Sequence, residues 1–242
     1  MKNSILLFVF LAISSITYSQ TKDSMTDSRD GEIYETVTYN INGKQITWMA
    51  QNLRYETEGA SVYDNVSSYK KKLGLLYTSN AVNSSCPKGW HLPTVSEWES
   101  LTALFGGYYK ASKTLKSERG WEWNEKLAEG LARRGKVITF EKGNNSSSFN
   151  ALPAGWNIKR GTASPYYLDI GNLTVFWTLD KDDSKVNPSL LYRLLNRKTE
   201  QFKPAAGARH QVSDKEQEIR DNYIRVGHIP NAKASCRCVK ND

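Results

Sequence analysis

Cys86-Pro87-Lys88-Gly89-Trp90-His91-Leu92-Pro93-Thr94-Val95-Ser96-Glu97-Trp98-Glu99 packs a cysteine, a turn, an extended tripeptide and a helix start into one short run. Thr94-Val95-Ser96-Glu97 has the form of a capping box: the threonine hydroxyl accepts from the N–H of Glu97, and the Glu97 carboxylate accepts from the N–H of Thr94. Pro93 precedes the cap and is placed to pack on Trp98 as a hydrophobic staple. Val95, Trp98, Leu101, Leu104 and Phe105 then follow helical spacing. Gly106-Gly107 stops the helix, because glycine accepts the left-handed conformation at a C-terminus. The spacing predicts a helix over about 94–105. Pro87-Lys88-Gly89 reads as a turn, and Trp90-His91-Leu92 as an extended lead-in.

Working outward, Ile33–Ile41 alternates well enough for a strand, and Asn42-Gly43 is a strong hairpin signal before the return strand Ile46–Met49. Residues 55–72 read as a polar surface loop. Val137–Phe140 and Thr174–Thr178 look like strands, residues 124–134 like a short helix, and Ala234–Val239 like a final strand. Leu190–Leu195 is apolar and reads as strand or helix. Phe149–Trp156 mixes small and aromatic residues, as a tightly packed irregular core does. One well-defined helix, short strands and long loops imply an α+β domain.

The N-terminus carries Lys2, an apolar run from Ile5 to Ile13, and then Ser14, Ser15, Thr17 and Ser19. This is the layout of a secretory signal peptide over 1–19, leaving Gln20 as the new N-terminus. The run is too short for a membrane span, and no other segment is apolar enough, so no membrane span is expected. Residues 20–31 are polar and read as a flexible leader. Residues 32–242 then form a single domain, expected to act in the periplasm, at the outer-membrane surface or outside the cell. The formal charge of +8 favours acidic partners, although solubility alone accounts for it. No nucleic-acid-reading motif is present, and export argues against that partner.

Cys86, Cys236 and Cys238 allow one disulfide and one leftover thiol. An oxidising compartment favours the bond. A bridge between Cys236 and Cys238 would be strained, so a long-range bond from Cys86 is expected. Closing a loop of about 150 residues stabilises by roughly 2–5 kcal/mol.

Several of these segments resemble the Fibrobacter succinogenes major paralogous domain family. The resemblance rests on Trp48-Met49-Ala50-Gln51-Asn52-Leu53, on Cys86 through Pro93 with Glu97-Trp98, and on Leu115-Lys116-Ser117 before Gly120-Trp121. Phe149–Gly155, Phe176-Trp177-Thr178 and Arg237-Cys238-Val239-Lys240 continue it. It implies an exported bacterial protein of the Bacteroidetes and Fibrobacter groups. It also implies a fold similar to C-type lectins and to formylglycine-generating sulfatase-modifying enzymes. It further implies that Cys86 pairs with Cys238, leaving Cys236 over, and that Trp48, Trp90, His91, Pro93, Thr94, Glu97, Trp98 and Trp177 form a structural signature. The segments near 124–148 and 179–222 look like insertions in it.

For chemistry, Cys236-Arg237-Cys238 is the only close cysteine pair in the chain and could bind copper(I). With Cys238 in a disulfide, however, one thiol remains. His91, His210 and His228 are widely spaced, and no Ser-His-Asp signature appears. Asp180, Asp182 and Asp183 form an acidic loop that lysines dilute, so no calcium site is expected. We therefore expect no catalytic residue, no metal and no cofactor. Exposed aromatics suit sugar stacking, with Trp121, Trp123, Trp156, Tyr166 and Tyr167 as candidates. Long loops on a rigid scaffold suit protein recognition equally. The leading expectation is a non-catalytic binding or scaffold domain with an envelope or surface protein partner. Carbohydrate is the first alternative, and a degenerate relative of the formylglycine-generating enzymes the second.

Overall fold

A computed structural model describes residues 20–122, 138–140, 143–158, 166–179, 190–195, 197–199 and 232–242. The expected signal peptide, the helix at 124–134, the acidic loop at 180–183, Trp123, His210, His228 and most of both expected insertions lie outside these residues.

Two strands form the hairpin that alternation and Asn42-Gly43 predict: β2 (Ile33–Ile41) and β3 (Lys44–Met49), in register Val37↔Trp48 and Ile41↔Lys44. Asn42 (φ 52°) and Gly43 (φ 83°) both take left-handed conformations, as a two-residue turn needs. The polar segment before them is not a leader. Gln20–Thr26 is a strand, β1, that pairs along β2 from Gln20↔Tyr39 to Thr26↔Ile33. Its side chains are largely exposed, so the pairing is carried by backbone and leaves no hydrophobic alternation to read. The Asp27–Gly31 turn joins it, with the Asp27 carboxylate accepting from the backbone and side chain of Arg29.

The last strand, β14 (Val239–Lys240), inserts between β3 and β6 (Trp90–His91), pairing Val239 with both Trp48 and His91. The sheet order is β1-β2-β3-β14-β6. A second sheet runs in the order β11 (Leu190–Leu195), β10 (Leu173–Thr178), β13 (Ala232–Ser235), β5 (Leu76–Thr78), β4 (Ala60–Ser61). Here β8 (Trp156–Ile158) pairs with β13 and with β9 (Tyr166–Leu168). A separate pair joins β7 (Ile138–Phe140) to β12 (Arg197–Thr199). Among the described residues pairing is antiparallel except for β10 with β13 and three isolated bridges.

Among the described residues the α-helices are α1 (Ser68–Leu73), α2 (Ser79–Val82), α3 (Val95–Leu104) and α4 (Gly107–Leu115). The predicted capping box starts α3: Thr94 Oγ1 accepts from Glu97 N at 3.2 Å, and Glu97 Oε2 accepts from Thr94 N at 2.7 Å. Val95, Trp98 and Leu101 face the core. The helix ends where the glycines predict, but the expectation of one helix needs correction. Gly106 (φ 84°) turns the chain into α4, whose Ala111, Ser112 and Leu115 are buried. Too few large apolar residues mark Gly107–Leu115 for its sequence to announce a helix. The expected loop over 55–72 likewise contains α1.

Strand alternation divides the core. Trp48 and Phe176 join Val37, Tyr39, Trp98, Leu101 and Phe149 on one side. Their neighbours Met49 and Trp177 join Tyr34, Leu53, Tyr77, Trp156, Cys236 and Cys238 on the other. The domain is α+β with mostly antiparallel sheets. Among the described residues no helix is long and apolar enough to cross a membrane.

Candidate functional site

The signature segments meet at Arg237, which is fully buried. Its Nε donates to Asn52 Oδ1 at 2.8 Å and its Nη2 to the Asn150 carbonyl at 2.8 Å, while Nη1 donates to the Phe149 carbonyl. The guanidinium carbon lies 4.3 Å from the Phe149 ring centre and 5.4 Å from that of Phe176. Among the described residues no carboxylate pairs with it. Burial pulls its pKa down to about 9. A charge held by carbonyls and ring faces alone fixes positions. Here it ties residues 52, 149–150 and 237, far apart in sequence, into one knot. Trp48, Trp98 and Phe149 pack around it, with Trp48 and Trp98 ring centres 4.7 Å apart.

Beside this knot, Cys86 and Cys238 form the disulfide the resemblance implies, across 152 residues. The free thiol of Cys236 is fully buried, and burial pushes its pKa up to about 12. Its sulfur lies 4.0 Å from that of Cys86 and 3.8 Å from that of Cys238. Being almost equidistant, it stands beside the S–S bond rather than behind either sulfur, where a displacing thiolate needs to be. Protonated and broadside, it is inert toward the bond it touches.

His91 is half-exposed, and both its ring nitrogens are engaged: Nε2 with Glu97 Oε1 at 2.9 Å and Nδ1 with Asn241 Oδ1 at 2.8 Å. The Glu97 hydrogen bond raises the histidine pKa against the opposing effect of burial. Burial works to raise the Glu97 carboxyl, but bonds from His91 and Thr94 outweigh it and hold it below its ordinary value. A shallow depression of about 590 Å³ opens there, edged by Lys44, Ser96, Ser100, Lys240 and Asp242. With both nitrogens held, His91 closes the end of the chain onto α3.

A different surface gathers four tyrosines, of which Tyr166 is exposed. Tyr63 packs against Tyr69 and Tyr167, with ring centres at 6.2 and 5.1 Å. Tyr167 Oη donates to Asn65 Oδ1, and Tyr166 beside it is 51% exposed. Next to Tyr69 lies a groove of about 490 Å³ with an apolar floor of Leu73, Leu152, Pro153 and Ile170 and a rim of Lys72, Arg119 and Glu122. Four segments line it, and backbone bonds tie three of them together: Glu122 N donates to the Gly171 carbonyl at 2.8 Å, and Gly171 N to that of Pro153 at 3.0 Å. Gly155 (φ 66°) lets the chain pass under it, since a Cβ there would collide with the Leu168 carbonyl and the Tyr63 ring.

The candidate aromatics therefore separate. Trp121 is buried and donates to Ser117 Oγ and the Ala151 carbonyl. Trp156 is buried with its Nε1 on Asp169 Oδ2. Neither presents a stacking face, whereas Tyr166 and Tyr167 reach the surface. Of the signature residues, Trp48, Trp98 and Trp177 are core, and Trp90 is half-buried against it. The Pro93 carbonyl accepts from Thr178 Oγ1 and Leu179 N. The sequence reading missed Asn52, Arg237, Tyr63, Tyr69 and Arg119. The first two stood inside quoted motifs, but nothing local says that an arginine will be buried. Tyr63 and Tyr69 stand in the segment read as a loop, and Arg119 falls between two quoted motif pieces, Leu115-Lys116-Ser117 and Gly120-Trp121.

Residues 31–240 match the Fibrobacter succinogenes major domain, and the chain belongs to that family. No curated protein and no solved structure matches it.

Proposed function

We propose that this Fibrobacter succinogenes major domain protein is an exported, non-catalytic recognition domain of the bacterial cell envelope. On this reading the fold is C-type-lectin-like, and the groove beside Tyr69 takes a protein partner. One observation carries the proposal: the chemically capable residues are engaged inside the fold, while Tyr69 and the exposed Lys72, Arg119 and Glu122 edge an apolar groove. Arg237 holds carbonyls, Cys236 is buried and protonated, and His91 has both nitrogens bound. An apolar floor with a mixed-charge rim resembles the core-and-rim build of protein interfaces. The Cys86–Cys238 bond and the apolar N-terminal run support export. A degenerate formylglycine-generating activity is disfavoured by the lack of a second free thiol.

The test is retention of envelope proteins by the immobilised mature chain, read by quantitative mass spectrometry beside an Arg119→Glu variant. The expected result is one stoichiometric protein whose retention falls at least about ten-fold in the variant, a loss near 1.4 kcal/mol. Equal retention by the variant would remove the groove from the proposal. The exposure of Tyr166 beside Tyr167 favours a second reading, glycan binding. That reading requires polysaccharide binding that disappears in Tyr166→Ala.

A further inference from the structure

We propose that reduction of the Cys86–Cys238 bond converts the sulfur cluster into a three-thiolate site for a soft, thiophilic cation of low coordination number. The sequence offers only the Cys236/Cys238 pair; the fold supplies the third sulfur from the turn before β6. Around a cation with metal–sulfur bonds of about 2.3 Å, three sulfurs in a plane stand about 4 Å apart. Two edges of that triangle already exist, Cys86–Cys236 at 4.0 Å and Cys236–Cys238 at 3.8 Å. Only the third edge is closed, by the covalent bond between Cys86 and Cys238. Once that bond is broken, side-chain rotation lets the two sulfurs separate to complete the triangle.

The surroundings fit the same chemistry. Sulfur is the ligand type that selects soft cations, and the described residues place no other histidine, cysteine or carboxylate in the cluster. Cys236 and Cys238 are fully buried, which keeps water from completing a larger shell, while Cys86 is half-buried and gives the route in. Arg29 lies on the thiolate side: its guanidinium donates to the Ser85 carbonyl at 2.8 Å, one residue before Cys86. Burial dominates in keeping the Cys236 thiol protonated in the oxidised protein, and the Arg29 charge opposes it.

The reductant is a dithiol. One of its thiolates attacks the accessible Cys86 sulfur, the S–S bond breaks, and Cys238 leaves as a thiolate. The second thiol of the reductant then attacks the mixed disulfide, releasing the Cys86 thiol as the dithiol becomes a cyclic disulfide. Cation binding displaces the protons of the three thiols to solvent.

The experiment titrates copper(I), held by a chromogenic chelator, into full-length mature protein reduced with a dithiol that is then removed under anaerobic conditions. Parallel samples are the oxidised protein, reduced Cys236→Ser, and the reduced wild type in urea. The expected result is one copper(I) per chain in the reduced folded protein, held at least about ten-fold more tightly than by Cys236→Ser or by the urea-unfolded chain. That factor is about 1.4 kcal/mol. The oxidised protein takes up none. Near-ultraviolet circular dichroism reports whether the reduced fold persists. Equal affinity in the reduced wild type and Cys236→Ser overturns the proposal, because the third sulfur then contributes nothing. Equal affinity in the folded and urea-unfolded chains, or loss of the fold on reduction, overturns it as well, because no preformed site exists.

Discussion

Phe149–Gly155 serves two regions that differ in kind. The carbonyls of Phe149 and Asn150 face inward onto Arg237, in a core where every polar group of the arginine fork has a named partner. Two residues on, Leu152 and Pro153 floor the groove by Tyr69, where Lys72, Arg119 and Glu122 stand at the rim in solvent. Inside, geometry is fixed by buried hydrogen bonds; outside, the charged side chains of the rim are open to solvent. A motif-rich segment can thus belong to the scaffold at one end and to a binding surface at the other.

The sharpest way to break this contrast is to substitute the two arginines. Arg237→Met leaves Asn52 Oδ1 and two buried carbonyls without donors, and should cost about 3–5 kcal/mol in urea unfolding, as loss of one partner from a buried charged network does. Arg237→Lys should recover little, because an ammonium cannot span three acceptors that a planar fork reaches. A midpoint for Arg237→Met within experimental error of wild type would mean that the knot does not hold the fold.

Next in size is the disulfide. Cys238→Ser should destabilise by about 2–4 kcal/mol, whereas Cys236→Ser in the oxidised protein should cost about 1 kcal/mol or less. Non-reducing peptide mapping should find Cys86 joined to Cys238. A Cys86–Cys236 peptide would reverse the two predictions and place the inert thiol at the other position.

How much of this was legible depends on the range of the determinants. The hairpin at Asn42-Gly43 and the capped start of α3 are specified by residues within four positions of one another, and both appear as read. Strand β1 was missed because its pairing is backbone-mediated and its side chains face water. Helix α4 was missed because Ala111 and Leu115 give it only a thin apolar stripe. The groove was missed for a different reason: Tyr69, Arg119, Pro153 and Ile170 come from four segments, and no local pattern records that they meet. Trp121 and Trp156 show the reverse error, since an aromatic in an irregular segment can be core as easily as surface.

The link between His91 and Glu97 should give a small, pH-dependent effect at the junction of scaffold and surface. The histidine pKa is raised in the folded state above its ordinary 6.5, so its contribution is complete below that value and is lost as pH rises through the raised one. The Glu97 pKa is lowered below its ordinary 4.5, so its contribution is complete above 4.5 and is lost as pH falls through the lowered one. Stability from this pair is therefore greatest between 4.5 and 6.5 and falls on both sides. Both side chains are partly exposed, so solvent screening limits the pair to about 0.5 kcal/mol. In His91→Gln, unfolding measured across pH should lose the alkaline fall and keep part of the acid one, because Thr94 still binds Glu97. An unchanged alkaline limb would show that another group carries it.

The smallest stability effect belongs to the groove, and that smallness is what makes it informative. Arg119 is exposed, so Arg119→Glu should shift unfolding by no more than about 0.5 kcal/mol, as surface substitutions do. If the two regions are as different as the structure makes them, this variant loses ligand while keeping the fold, and Arg237→Met does the opposite in kind, losing ligand only as it unfolds. Measuring retention and urea midpoint on the same preparations separates the two behaviours. Loss of stability in Arg119→Glu comparable to that in Arg237→Met would dissolve the distinction, because the groove would then be one more part of the scaffold. Loss of retention at an unchanged midpoint would assign recognition to the rim, leaving Phe149–Gly155 to hold the floor in place beneath it.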